Sequence, residues 1–372
     1  MGGREALISL YFRYPEMAKR TPRGALSNPE GRFERLRVDL ALSAEHGFGP
    51  APGEEAEPAA ETIYLRDPTR RILAHNKSPD VPFDVSVNPY RGCTHGCIYC
   101  FARPTHEYLG FSAGLDFETR ILVKEDAAKL LRKALLSPRH EPRVLGLSGV
   151  TDPYQPVEAK LRITRGILEV LAEFRHPVSV ITKNFMVTRD IDLLAELAEH
   201  DAVSVNLSIT TLDASLQRKM EPGTSRPSRR LAAIERLATA GIPVGVMVAP
   251  IIPGLTDHEV PAILQAAADA GADSAGRVLL RLPHGLKELF NEWLEAHFPE
   301  RRAKVMNRLL ALHDGQLYRP GFGVRQRGEG VYAEQIAAMF DLTRRRVGLA
   351  TSRPELSSAA FRRPGAQLAL FQ

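Results

Sequence analysis

From about Thr62 the chain alternates between two hydrophobic periods. Residues Phe83 to Asn88 switch between apolar and polar at every step, the pattern of a strand, and Pro89 ends it. Over 124–136 the apolar positions Ala127, Ala128, Leu130, Leu131 and Leu135 recur at helical spacing. The same reading continues with a short strand at 144–147, a helix at 161–174 and a strand at 178–182. A helix capped by Thr188 then runs to about 199, followed by an alternating strand at 203–209. Next come a helix capped by Ser228 and ended by Gly241, and a strand at 244–248. A capping box, Thr256-x-x-Glu259, opens a helix ended by Gly271, and a sixth strand is expected at 278–282. Strands separated by helices predict a parallel sheet with right-handed crossovers. The fold class is therefore α/β, closing as a partial (β/α)6 barrel. Reactive residues in such folds sit on the loops that follow the strands.

The alternation stops after Leu282. Helices are expected at 286–298, 299–312 and 331–347, forming a helical C-terminal extension. Residues 1–61 lack periodicity, and the stretch Gly49 to Pro58 is rich in Gly, Pro, Ala and Glu. The expected organisation is a weakly ordered, disordered N-terminal segment and linker over 1–61 and a core domain over 62–285. The extension follows over 286–347, and a disordered tail over 348–372.

A hydrophobic content of 44% with 25% charged residues is that of an ordinary globular chain. No run of about 18 apolar residues appears, so no membrane helix is expected and the protein is read as cytoplasmic. Charge changes the picture only at the C-terminal end. Residues 277–372 hold 16 Lys+Arg against 9 Asp+Glu, a basic excess that can attract nucleic acid.

All three cysteines of the chain lie in one loop, Cys93-x3-Cys97-x2-Cys100, directly after the first core strand. Three thiolates so close together can converge on one inorganic centre. With no fourth cysteine, a cluster of four irons would keep one iron open for a ligand. Gly92 and Gly96 allow the tight path such a loop needs. Two other readings stand beside this one. A zinc ion could take the cysteines with His95 or His106, as in a non-catalytic adaptor, or two cysteines could pair as a disulfide.

The triplet, with aromatic Tyr99 before its last cysteine, resembles the signature of radical S-adenosylmethionine (SAM) enzymes. The segments 88–93, 102–106, 114–119 and 150–156 look like a bacterial branch similar to spore photoproduct lyase, often called DNA repair photolyase-like. The resemblance covers roughly residues 62–285. It implies a radical SAM barrel in which Cys93, Cys97 and Cys100 ligate a 4Fe–4S cluster and the open iron holds SAM. Reductive cleavage of SAM would then give a 5′-deoxyadenosyl radical that abstracts hydrogen from a substrate. It further implies Tyr99 near the adenine and contacts to SAM from the loop containing Ser148, Gly149, Thr151 and Asp152, with Glu158 also available. Lys183 would meet the SAM carboxylate or an electron donor such as flavodoxin or ferredoxin. Asn206 and Ser208, two apart on one strand face, would reach the ribose, and Pro253 would lie beside the adenine.

The named family member uses an additional cysteine as hydrogen-atom donor, and this chain has none to spare; Tyr99, Tyr108 and Tyr154 are candidates in its place, none singled out by the sequence. An Arg218–Glu221 pair is expected to be structural. Damaged or modified DNA is the substrate that the branch suggests, with a peptide or small metabolite as the alternative. The tail carries Gln367-Leu368-Ala369-Leu370-Phe371, which resembles peptides that dock into the bacterial DNA sliding clamp.

Overall fold

The structure is a computed structural model that describes residues 23–29, 31–33, 61–351 and 355–364. Among these residues ten strands form: β1 (Ile63–Arg66), β2 (Leu73–His75), β3 (Val85–Val87), β4 (Tyr90–Arg91), β5 (Arg120–Val123), β6 (Leu145–Leu147), β7 (Val178–Thr182), β8 (Val203–Ser208), β9 (Val244–Ile251) and β10 (Ser274–Leu279). The main sheet runs β10-β9-β8-β7-β6-β3-β2. From β3 to β10 every pairing is parallel and follows chain order; β2 closes the far edge antiparallel to β3. This is the six-stranded parallel half-barrel that the periodicity predicts. A second, small sheet, β1-β5-β4, lies outside that expectation and carries the cysteine loop at the end of β4.

The crossovers are built by α1 (Leu115–Thr119), α2 (Ala127–Leu136), α3 (Glu158–Leu161), α4 (Ile163–Phe174), α5 (Ile191–Ala198), α6 (Ala214–Met220), α7 (Pro227–Thr239) and α8 (Val260–Asp269). Helix α4 turns Ile167, Leu168, Leu171 and Phe174 into the core, all fully buried. Removing each such side chain from water stabilises by about 1.5–3 kcal/mol before chain entropy is counted. On β8, Val203, Val205 and Leu207 join this helix-side core. The opposite, inner face of the sheet is small and polar. Cross-strand register aligns Ser86, Gly146, Ser179 and Ser204 in one row and Asn206, Gly245 and Ser274 in another. A Cβ at Gly245 would lie 2.6 Å from Ser274 Oγ and 2.9 Å from Asn206 Oδ1, so only glycine fits there.

The helical extension forms as expected, with α9 (Leu286–His297), α10 (Pro299–Leu312) and α11 (Val331–Arg346). Leu286, Leu289, Phe290, Trp293 and Leu294 of α9 pack with Ile98 and Tyr99 of the cysteine loop in a second core. The extension thus walls the cysteine loop.

Several expectations need correction. The sixth strand is Ser274–Leu279, not 278–282, because β10 pairs through Ser274, Ala275 and Gly276, whose small side chains carry no hydrophobic signal. Thr188 lies inside a 3-10 turn, and Asn184 is the residue that caps it by accepting from the Met186 amide. The Thr256–Glu259 capping box does not form. Glu259 instead accepts from Thr211 Oγ1 at 2.6 Å and the Leu212 amide at 2.7 Å, anchoring the loop after β8.

Parts of both expected disordered ends are packed. The Gly24 and Ala25 amides bind the Glu118 carboxylate at 3.0 and 2.8 Å. A Cβ on Gly24 would lie 1.7 Å from the Gly96 carbonyl, so this segment presses directly on the cysteine loop. In the tail, Ala350 bridges β10, and Phe361 sits among His140, Phe174 and His176. Gln367–Phe371 lies outside the described residues.

Candidate active site

The cysteine loop is held by buried polar groups rather than by regular structure. Cys93 N donates to Phe117 O at 2.9 Å and Ile98 N to Met220 O at 3.0 Å. The Arg103 guanidinium, fully buried, reaches Cys97 O at 3.0 Å, Ala113 O at 3.2 Å and Gly114 O at 2.9 Å, and pairs with the fully buried Glu118. Gly92 and Gly96 take φ of +79° and +63°, as the tight path requires. At Gly96 a Cβ would also meet Glu118 Oε2 at 2.8 Å.

The three thiols lie close enough to act on one another electrostatically, with Lys183 and Glu221 also facing Cys97. Burial pushes the Cys93 thiol up to about 12 and the Cys97 thiol well above its ordinary range. Left to themselves Cys93 and Cys97 stay neutral thiols, so binding a cationic centre must release their protons. Among the described residues no group of three His, Cys, Asp or Glu is gathered tightly enough for a single metal ion. His95 and His106 do not complete a zinc set. His95 has Nδ1 at 3.3 Å from Asp152 and Nε2 at 3.2 Å from Asn184 Nδ2; His106 binds the Arg120 carbonyl at 2.9 Å.

The other expected site residues divide into three groups. Asn206 is buried in the inner-face row, and its Nδ2 has no hydrogen-bond partner among the described residues. Ser208 lies two residues on along the same strand, also buried. Lys183 stands with Nζ 5.7 Å from the centroid of the Tyr99 ring. Tyr99 is buried; its hydroxyl donates to Glu221 and lies 3.2 Å from Thr210 Oγ1. Pro253 is buried in the turn after β9, whose Ile252 and Leu255 pack with Ile98 and Tyr99.

A second group braces the loops. Asn88 Oδ1, at the end of β3, accepts from the Gly149 and Val150 amides at 3.0 and 3.1 Å. Ser148 Oγ donates to the Thr151 carbonyl, and Thr151 Oγ1 to Gly92 O at 2.7 Å. Asp152 is corrected from ligand to brace. Its two oxygens accept from Thr182 Oγ1 (2.7 Å), the Tyr154 amide (2.9 Å) and the Lys183 amide (2.9 Å) while facing His95. Burial alone would raise this carboxyl, but His95 and these donors hold it down at about 2. Glu158 is likewise committed, to Tyr90, Arg189 and the Thr164 amide.

Tyr154 forms the third group, as a correction. It is fully buried in the helix-side core, with Arg189 5.9 Å from its ring centroid and Asp190 and Glu158 nearby. Its hydroxyl lies toward Asp190 within that core.

Sequence reasoning missed the partner of Glu221. Arg230, not Arg218, pairs with it, and also reaches Ser208 O at 2.9 Å and Ser225 O at 2.8 Å. Both charges are buried, so the Tyr99–Glu221–Arg230 chain ties the cysteine loop to the carboxyl end of β8.

The parallel half-barrel thus carries a three-thiol loop at its mouth, above a small, polar inner face. The chain belongs to the radical SAM superfamily, whose family model matches residues 87–267. It is a radical SAM enzyme, so the zinc-adaptor reading gives way. Membership implies an iron–sulfur cluster and SAM. An uncharacterized protein of Mycobacterium tuberculosis is 41% identical over 232 residues, 61% of this chain and 68% of that protein. A radical SAM Nalpha-GlyT isomerase of Pseudomonas phage M6 is 24% identical over 176 residues, 47% of this chain and 35% of the isomerase. Among solved structures, a spore photoproduct lyase variant with bound AdoMet and dinucleoside spore photoproduct superposes with a TM-score of 0.53. That match covers 84% of this chain and 93% of the lyase at 16% identity, a likeness of fold.

Among the described residues no helix is long and apolar enough to cross a membrane.

Proposed function

We propose that this radical SAM enzyme holds a 4Fe–4S cluster on Cys93, Cys97 and Cys100 and acts on nucleic acid. The observation that carries the cofactor reading is the set of three thiols in one loop, close enough to act on one another electrostatically, within the span of the radical SAM family match. When bound, the reduced cluster with SAM at its open iron supplies a 5′-deoxyadenosyl radical that takes hydrogen from the substrate. The chain's own contribution is position and shelter. Arg103 and Glu118 hold the loop's path, and Asn88 and Asp152 hold the loops after β3 and β6 against it. Asn206 and Ser208 offer polar contacts on the inner face, suited to a ribose. Lys183 offers a cation for a carboxylate, and the turn at Ile252–Leu255 offers an apolar wall for a base. The core formed by α9 with Ile98 and Tyr99 keeps water from one side of the loop.

The nucleic-acid reading is favoured by the surface around the loop. Phe101, Tyr108 and Phe33 stand exposed, each with an arginine against its ring: Arg281 for the first, Arg32 for the other two. Exposed aromatics paired with arginine suit stacked bases. The fold neighbour binds a dinucleoside lesion, which supports a damaged or modified nucleotide as substrate. The basic C-terminal quarter, a sliding-clamp contact through Gln367–Phe371, a flavodoxin or ferredoxin as reductant, and a reducing cytoplasm belong to the same proposal.

The test is anaerobic reconstitution with iron and sulfide, addition of dithionite and SAM, and chromatography for 5′-deoxyadenosine. The expected result is 5′-deoxyadenosine that Cys97→Ala abolishes. A Cys97→Ala protein with full iron content, or wild type that binds only zinc, would overturn the assignment.

A further inference from the structure

We propose that Phe101 and Arg281 form the docking point for one substrate nucleotide, the base stacking on Phe101 and a phosphate meeting Arg281. This rests on the nucleic-acid reading above and assigns the residues that would confer it. Phe101 follows Cys100 directly, and Arg281 follows the end of β10, where the Leu280 amide is fixed to Ile251 O at 3.0 Å. Two segments remote in sequence therefore bring a cation to 4.1 Å from an aromatic centroid at the mouth of the cysteine site.

Each half of the pair is costly without a ligand. Phe101 is 45% exposed, directly after the half-buried Cys100. The Arg281 guanidinium is partly buried, and burial lowers its pKa. Among the described residues it has no hydrogen bond or ion pair, only the Phe101 ring. The charges facing it are Arg325, Tyr318, Asp80 and Cys100. Asp80 is committed elsewhere, to Arg325 and to the Gly323 amide at 2.6 Å. Arg325 thus offsets Asp80, and with no hydrogen-bonded partner among the described residues the donors of Arg281 are free for an anion. A cation backing one face of an exposed ring leaves the other face for a base, a pairing that reads single-stranded or extruded nucleotides without reading sequence. The SAM carboxylate is the other anion that could reach this arginine, and the experiment separates the two.

The probe is a fluorescein-labelled single-stranded oligothymidylate of about ten nucleotides, bound to the anaerobically reconstituted full chain and followed by anisotropy. Arg281→Gln is expected to weaken binding about 10-fold and to reduce the slope of log affinity against log salt by about 0.7. Phe101→Leu is expected to weaken it about 5-fold or more, and Phe101→Trp to restore it. Arg143→Gln, an exposed arginine elsewhere, should change little. Should Arg281→Gln lose iron, Arg281→Lys and the two Phe101 variants decide.

The proposal is overturned if Arg281→Gln binds oligonucleotide as wild type does, if Arg143→Gln loses as much, or if Arg281→Gln weakens SAM instead. A wild type that forms 5′-deoxyadenosine but ignores the oligonucleotide overturns the docking site and leaves the radical chemistry standing. Arg281-dependent binding without any 5′-deoxyadenosine does the reverse.

Discussion

Glu118→Gln removes one charge from a buried ion pair at the root of the cysteine loop. Both Glu118 and Arg103 side chains are fully buried. Glu118 also accepts the Gly24 and Ala25 amides, and glutamine keeps only one acceptor oxygen while turning an NH2 toward these donors. Breaking a buried pair from one side costs about 3–5 kcal/mol. Arg103 would keep its three carbonyl partners, at Cys97, Ala113 and Gly114, which puts the loss near the lower end, about 3 kcal/mol. Unfolding entropy is about 2.1 cal/mol/K per residue, or about 0.6 kcal/mol/K for roughly 300 folded residues, so the melting temperature should fall by about 5 °C. The assay is an anaerobic thermal melt by circular dichroism, with iron per chain measured after reconstitution. Iron should fall too, because Arg103 fixes the backbone of Cys97. The control is Glu125→Gln, 38% exposed with a partner, Arg66, that is 46% exposed; it should cost under about 1 kcal/mol. A Glu118→Gln protein that melts within about 1 °C of wild type and binds full iron would refute the reasoning.

Four further outcomes are expected. Cys97→Ala should bind no cluster, read as loss of iron and of the visible absorption band. Asn206→Ala should keep its iron while binding SAM about 10-fold more weakly, measured by calorimetry; unchanged affinity would remove Asn206 from the site. His176 is buried, which lowers its pKa to about 4, and it faces His140 at 2.9 Å. Unfolding frees it to take a proton below about 6.5, so stability should be level above pH 7 and fall as pH drops from about 6.5 to 4. His176→Phe should flatten that slope, seen in thermal melts across pH; an equally steep slope would mean that other groups carry it. Phe371→Ala should abolish comigration of the full chain with a bacterial sliding clamp on gel filtration; retained comigration would exclude the tail peptide as the contact.

The parallel half-barrel and the three thiols were legible because both signals are local. Apolar period separates strand from helix within ten or so residues, and the cysteine spacing lies within eight positions of one loop. β10 escaped because its pairing residues are Ser274, Ala275 and Gly276, chosen for a crowded inner face rather than for hydrophobicity. The partners of charged residues were not legible at all. Glu221 could have met Arg218, three residues away, yet it meets Arg230. Asp152 had the composition of a ligand, yet its oxygens are spent on His95, Thr182 and Lys183. Glu118 draws its donors from Arg103 and from Gly24 and Ala25, more than 90 positions upstream.

Local sequence therefore determined the class of sheet and the grouping of the three thiols in one loop. Only the tertiary structure decided which polar groups are used up as braces and which, like the Asn206 amide and the Arg281 guanidinium, remain without a partner among the described residues. The physical reason is that a buried charge takes whichever partner packing brings within about 3 Å, and packing joins residues that no spacing in the chain connects.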